Sequence, residues 1–220
     1  MEKLSQQMED YLKTIYLLQQ REGEASTNAI AEALAVKPAS VTGMLKKLAE
    51  MKLARHTPYQ GVALTRAGAR IALEIVRHHR LIELFLIEAL GYAWDEVHAE
   101  ADRLEHVISE DFEDRVAARL GHPQIDPHGD PIPAKDGSVA NVDQCSLIQL
   151  EHGQLAHITR LDDSHPEMLR YAADLGLRPN TRITLVESEP FGGSLRVRVG
   201  KTVHAIGRDL AHNVYVTPEK

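Results

Sequence analysis

At 220 residues, 43% hydrophobic and 26% charged, the chain has the composition of a folded protein with material for one large core or two to three small ones. No run approaches the roughly 18 to 20 apolar residues of a membrane span, and acids interrupt the opening segment where a secretory leader is apolar, so the expected location is the cytoplasm with no membrane partner. The single cysteine, Cys145, excludes an internal disulfide framework and a thiolate zinc cluster within one chain, so any metal is held by imidazole, carboxylate or carbonyl.

In chain order, Leu12, Ile15, Tyr16 and Leu18 recur at helical spacing and predict a first helix ending near Gly23. Ser26 or Thr27 caps a second helix over residues 28–35, with Ile30, Ala31 and Leu34 on its apolar face. After a break at Val36 and Lys37, Pro38 fits the first turn of a third helix, which Val41, Met44, Leu45 and Leu48 stripe down to about Met51. Two short helices joined this way form a helix-turn-helix pattern. The stretch LARHTPYQGVALT then reads as two short strands around a turn at 58–61, a wing.

Thr65 caps a long helix through Ala89, and residues 94–120 read as another helical stretch. The segment GHPQIDPHGDPIPAKDG, with Pro123, Pro127, Pro131 and Pro133, precludes a helix and marks a linker or strap. Beyond it, β-like runs at 182–187, 195–199 and 214–217, broken by Gly192, Gly193 and Gly200, suggest a small barrel of about 75 residues.

The net charge of -7 conceals an asymmetry. Residues 36–66 hold six cations (Lys37, Lys46, Lys47, Lys52, Arg55, Arg66) against one acid, Glu50, for a local +5, while residues 67–120 hold six arginines against twelve acids. A helix entering the major groove needs small polar side chains at its start and cations around it. Ser40 and Thr42 supply the former, and Lys37, Lys46, Lys47 and Arg66 the latter, with Tyr59 at the wing tip as a further backbone contact. Taken singly, these residues are also what any solvated helix shows. The wing and the local charge favour DNA.

His79 and Glu83 stand at i and i+4 of the long helix, and His98, Asp102, Glu105 and His106 at i, i+4, i+7 and i+8 of the next. Each set falls on one helical face, and imidazole with carboxylate at this spacing chelates a divalent ion. Any one of these side chains alone is ordinarily a surface charge; six in register are not so easily dismissed. His78, His122, His128 and His152 are read as ordinary loop or helix residues. Open positions on such a metal could activate water, a metallohydrolase reading, but no separate general acid or nucleophile accompanies them. A metal-independent winged-helix regulator answering to an organic effector is the other alternative.

MEDYLKTIY, AVKPASVTGMLKKL, RHHRLIELFL, VHAEADRLEHVIS and PHGDPIP, taken together, resemble the diphtheria-toxin-repressor family of iron- and manganese-dependent transcriptional regulators. DLGLRPN, ITLVESEPFGGSLRVRVG and HNVYV are similar to the SH3-like domain of that family and of ferrous-iron-transport accessory proteins. The resemblance covers nearly the whole chain. It implies a mainly α protein with a small β domain: a winged helix-turn-helix over residues 1–73, a helical metal-binding and dimerisation domain with the Pro-rich linker over 74–140, and an SH3-like β-barrel over 146–220.

It also implies one metal site of His79, Glu83 and His98, completed from DDSHPEM by Asp163 or Glu167, and another of Asp10, Asp102, Glu105 and His106. The iron regulators carry Met and Cys where this chain has Asp10 and Asp102, and hard oxygen donors suit Mn(II) better than sulfur does. The implied cofactor is therefore Mn(II), with Fe(II) the alternative and Co(II), Ni(II), Zn(II) or Cd(II) as surrogates. The implied partners are palindromic operator DNA and a second copy of the chain, and the implied function is metal-dependent repression of metal-uptake genes, without enzymatic activity.

Overall fold

The computed structural model describes residues 4–57 and 61–219. They form two compact units, Met1–His79 with Leu104–Ser109 and Pro133–Ser138, and Arg80–Arg103 with Glu110–Ile132 and Val139–Lys220.

The first unit is built on α1 (Gln6–Glu22), α2 (Thr27–Ala33), α3 (Pro38–Glu50), and the antiparallel strands β1 (Ala54–Thr57) and β2 (Gly61–Leu64). Helix α1 buries Met8, Tyr11, Leu12, Ile15 and Leu18, the i, i+3, i+4 stripe that its sequence carries. It ends where Gly23 turns left-handed and returns its N–H to Gln19. The Ser26 hydroxyl accepts the Ala29 N–H at 3.0 Å and starts α2. Pro38 occupies the first turn of α3, which buries Val41, Leu45 and Leu48 against the same core. Helix α4 (Arg66–Leu90) begins at the Thr65 hydroxyl, which accepts the Gly68 N–H, and contributes residues 66–79 to this unit. The expected helix-turn-helix and wing are thus present. The wing tip, with Tyr59, lies outside the described residues.

In the second unit the expected single helical stretch over 94–120 is two helices, α5 (Val97–Leu104) and α6 (Glu110–Arg119). The chain turns at Glu105 and His106, where the Val107 N–H closes on the Leu104 carbonyl, and α6 restarts after Ser109 with Glu110, Asp111 and Glu113 in its first turn, acids that complement the helix dipole. Leu81, Val116, Ala117 and Ile132 make a small core, bordered by Phe85 and Leu120. A larger core fills the C-terminal domain, an antiparallel sheet in the order β3-β8-β4-β5-β6-β7: β3 (Cys145–Ser146), β4 (Leu155–Leu161), β5 (Arg182–Ser188), β6 (Leu195–Val199), β7 (Thr202–Ile206) and β8 (Val214–Pro218). Helices α7 (Pro166–Asp174) and α8 (Arg208–Asn213), absent from the sequence reading, bury Leu169, Ala172, Leu210 and Ala211 in that core.

The Pro-rich segment is a pinned strap. The Asp126 carboxylate accepts the N–H groups of His128 and Asp130 at 2.8 and 2.9 Å, and the Leu161 N–H of β4 donates to the His128 carbonyl at 2.9 Å. Gly129 makes that approach feasible: its φ is +96°, and a Cβ there would fall 1.9 Å from the Thr159 carbonyl oxygen. Among the described residues no helix is long and apolar enough to cross a membrane.

Candidate metal centres and DNA-reading helix

In the first unit, α1 supplies Glu9, Asp10 and Lys13, and the turn after α5 supplies Glu105 and His106. His106 Nδ1 lies 2.7 Å from Glu9 Oε2; a carboxylate only accepts, so Nδ1 carries the proton. The other nitrogen, Nε2, faces Asp10 Oδ1 at 2.8 Å and Glu105 Oε1 at 3.3 Å, with no hydrogen-bond partner of acceptable geometry. One imidazole nitrogen and two carboxylate oxygens therefore converge. Burial raises the pKa of Asp10 and Glu105 adds to the rise, while the neighbouring His106 opposes it. Such convergence fits a divalent cation, and Glu9 gives His106 the carboxylate–histidine support that ligating imidazoles use.

His79, on α4, donates from Nδ1 to Glu105 Oε2 at 2.5 Å, and Lys13 Nζ donates to both oxygens of Glu105 at 2.9 and 2.7 Å. His78 Nδ1 donates to the Glu105 carbonyl at 3.0 Å, a structural role in keeping with its reading from sequence.

The second unit holds a further group. Glu83, fully buried on α4, and Asp163, in the loop after β4, lie 3.3 and 3.2 Å from His98 Nδ1 on α5. Asp102, one turn beyond His98, is exposed with Oδ2 3.6 Å from His98 Nε2. Glu167 stands exposed in the first turn of α7 and, among the described residues, joins no such group. Within the second unit His98 has Asp102, Glu83 and Asp163 around it, and within the first unit Glu105 has His79 and His106 beside it.

The strap adds donors that the sequence reading set aside or overlooked. His128 is fully buried; its Nε2–H donates to the Trp94 carbonyl at 3.1 Å and its ring stacks on Trp94. That places a proton on Nε2 and turns Nδ1 towards Glu83 Oε2 at 3.7 Å and Asp163 Oδ2 at 3.9 Å. Asp126 also has an oxygen within 4.8 Å of donors on Glu83 and His128. Arg80 ties the strap to α4 by donating to the Pro131 carbonyl and Asp130 at 2.6 and 2.9 Å.

Burial lowers the His98 pKa, but hydrogen bonds to Asp163 and Glu83 and the charges of Asp163 and Asp102 outweigh it and raise the value to about 11. At His128, too, burial lowers the pKa, yet the neighbouring carboxylates, Glu83 foremost, raise it to about 9. Asp163 is held well below the carboxylate range: burial opposes this, and the His98 hydrogen bond and charge prevail. Asp126 goes the other way, through burial first and then the charges of Asp130 and Glu83. Without metal the site holds protons among its carboxylates; a divalent ion displaces such protons.

Lys37, just before α3, and Ser40, Thr42, Lys46 and Lys47 on it are all exposed, as is Arg66 at the start of α4. Opposite them Val41, Leu45 and Leu48 face the core. Gly43 also lies on the exposed face, where a Cβ would meet nothing within 4 Å. The helix presents a small, polar and basic surface of the kind that a major groove admits.

Fold and site together define a winged-helix regulator equipped with imidazole–carboxylate centres. The iron-dependent repressor N-terminal DNA-binding domain matches residues 3–62, the iron-dependent repressor metal-binding and dimerisation domain residues 65–134, and the FeoA domain residues 145–218. The iron-dependent repressor IdeR of Mycobacterium leprae (strain TN) is 34% identical over 221 residues, covering 94% of this chain and 95% of that protein. The HTH-type transcriptional regulator MntR of Bacillus subtilis (strain 168) is 38% identical over 109 residues, covering 50% of this chain and 76% of its own. A solved manganese-dependent transcriptional repressor in complex with manganese superposes with a TM-score of 0.92 at 38% identity, covering 96% of this chain and all of the other. The chain belongs to the iron-dependent (diphtheria-toxin-repressor) family of metal-dependent transcriptional repressors, and is a regulator rather than an enzyme.

Proposed function

We propose that the chain represses metal-uptake genes by binding palindromic operator DNA as a homodimer when loaded with Mn(II), Fe(II) being the alternative ion. The observation that carries this reading is the convergence of His106 Nε2, Asp10 Oδ1 and Glu105 Oε1, with Glu9 on the far side of the imidazole. Two hard oxygens and one imidazole nitrogen suit Mn(II), and the manganese-bound repressor of similar structure supports the choice. A divalent ion would be held by these three side chains and would link α1 to the turn after α5.

The chain's own residues supply the rest. Asp10 lies on α1, which shares one core with α2 and α3, so fixing α1 to the turn carrying Glu105 and His106 fixes the seat of the recognition helix. A two-fold dimer must present two such helices about 34 Å apart, and a wandering α1 would spread that spacing. Glu83, His98, His128 and Asp163 form a second centre in this proposal. Lys37, Ser40, Thr42, Lys46, Lys47 and Arg66 bind the operator.

The test is operator binding at buffered free metal, one divalent ion at a time. Chelator-treated protein is expected to leave the operator unbound and Mn(II) to restore binding, whereas Glu105→Gln, still folded, should ignore the ion. Operator binding indifferent to every ion would overturn the proposal.

A further inference from the structure

One oxygen of Glu105 serves two claimants. Oε1 faces His106 Nε2 at 3.3 Å, where the metal reading places a ligand, and the same Oε1 accepts from Lys13 Nζ at 2.9 Å while Oε2 accepts from it at 2.7 Å. Glu105 is 1% exposed and Lys13 12%, so this is a desolvated ion pair. A carboxylate buried to that degree needs a cation or donors at all times, since an uncompensated buried charge is strongly destabilising. His79 Nδ1 and Lys13 together meet that need in the metal-free chain.

A regulator that reports metal must remain folded without it. Lys13 stands one helical turn after Asp10, so the same helix that offers a donor to an ion also offers a charge that keeps the ion's other donor satisfied. An ion taking up Oε1 meets the ammonium a few ångströms away and must draw the carboxylate from it.

We infer that Lys13 is a tethered counter-ion that holds Glu105 in the metal-free chain and competes with the divalent ion for it, setting the ion concentration at which the centre loads. The inference rests on the proposed Asp10–Glu105–His106 centre. It separates Lys13 from the ligands: a ligand strengthens binding, whereas this residue opposes it. Removing the charge therefore raises affinity, and the stability of the metal-free chain falls because a buried carboxylate has lost its partner.

The experiment is titration of the full chain with Mn(II) against a competing chelator, with thermal unfolding of the metal-free and loaded forms, for the parent, Lys13→Met, Lys13→Gln and Lys13→Arg. Lys13→Met should bind Mn(II) roughly tenfold or more tightly, at an unchanged number of ions per chain. Its metal-free form should melt lower and gain more from Mn(II) than the parent does. Lys13→Gln, which keeps a donor and loses the charge, should shift the same way and serves if the Met variant does not fold; Lys13→Arg should stay near the parent. Neutral variants that bind Mn(II) as weakly as the parent, or more weakly, would overturn the inference while leaving the metal centre in place. Equal Mn(II) binding by the parent and Asp10→Ala would instead remove the centre itself, and the inference with it.

Discussion

Glu9 neighbours Asp10 in sequence, yet the two carboxylates reach opposite nitrogens of the same imidazole. Glu9 orients the ring and turns Nε2 towards Asp10 and Glu105, so its influence on metal passes through His106. Glu9→Gln keeps an acceptor but not its charge and should weaken Mn(II) binding about tenfold; Glu9→Ala, which releases the ring, should approach a hundredfold. Chelator-competition titration measures both, and an unaltered affinity in the Ala variant would deny Glu9 this role. Asp10, Glu105 and His106 were legible from sequence because the resemblance marks them. Glu9 was not, because nothing in helical spacing tells which acid supports and which binds. His128 was passed over for another reason: proline-rich context reads as loop, and a loop histidine is ordinarily solvated. The signal available was PHGDPIP itself, where Asp126, Gly129 and the prolines make a strap rigid enough to bury an imidazole.

At the scale of elements, α3 divides cleanly: Val41, Leu45 and Leu48 inward, Lys46 and Lys47 outward. Neither lysine is needed for the core, so each can be removed without disturbing the fold. Lys46→Ala or Lys47→Ala should weaken operator and non-operator DNA about equally and lower the salt slope of binding by about one unit per lost phosphate contact. Binding isotherms at several salt concentrations decide it, and an unaltered slope in both variants would mean that another face of α3 meets the phosphates. The helices and wing of the first unit were readable because their apolar stripes are strongly periodic and their caps conventional. The break between α5 and α6 was not, since apolar residues at Leu104, Ile108 and Val116 carry a nearly helical rhythm across it. Ser109 before Glu110 and Asp111 was the restart signal. Strand β4 escaped too: LAHITRL buries Ala156, Ile158 and Leu161, and the alternation slips where the register shifts between Ile158 and Arg160.

At the scale of the whole molecule the proposed function makes metal and operator two ligands of one equilibrium. If Mn(II) raises operator affinity by a given factor, operator must raise Mn(II) affinity by the same factor, since the two routes to the ternary complex share their end points. Couplings of this kind commonly lie between about 5- and 150-fold. Both halves can be measured on the parent chain: operator binding with and without Mn(II), and Mn(II) binding with and without operator. The factors should agree. In His106→Ala the nitrogen that completes the Asp10–Glu105 convergence is gone, and both factors should fall to about one together while binding to non-operator DNA, which depends on the exposed lysines of α3, is retained. A His106→Ala chain that still answers Mn(II) with tighter operator binding would place the coupling elsewhere, and the group around Glu83, His98, His128 and Asp163 would then carry it.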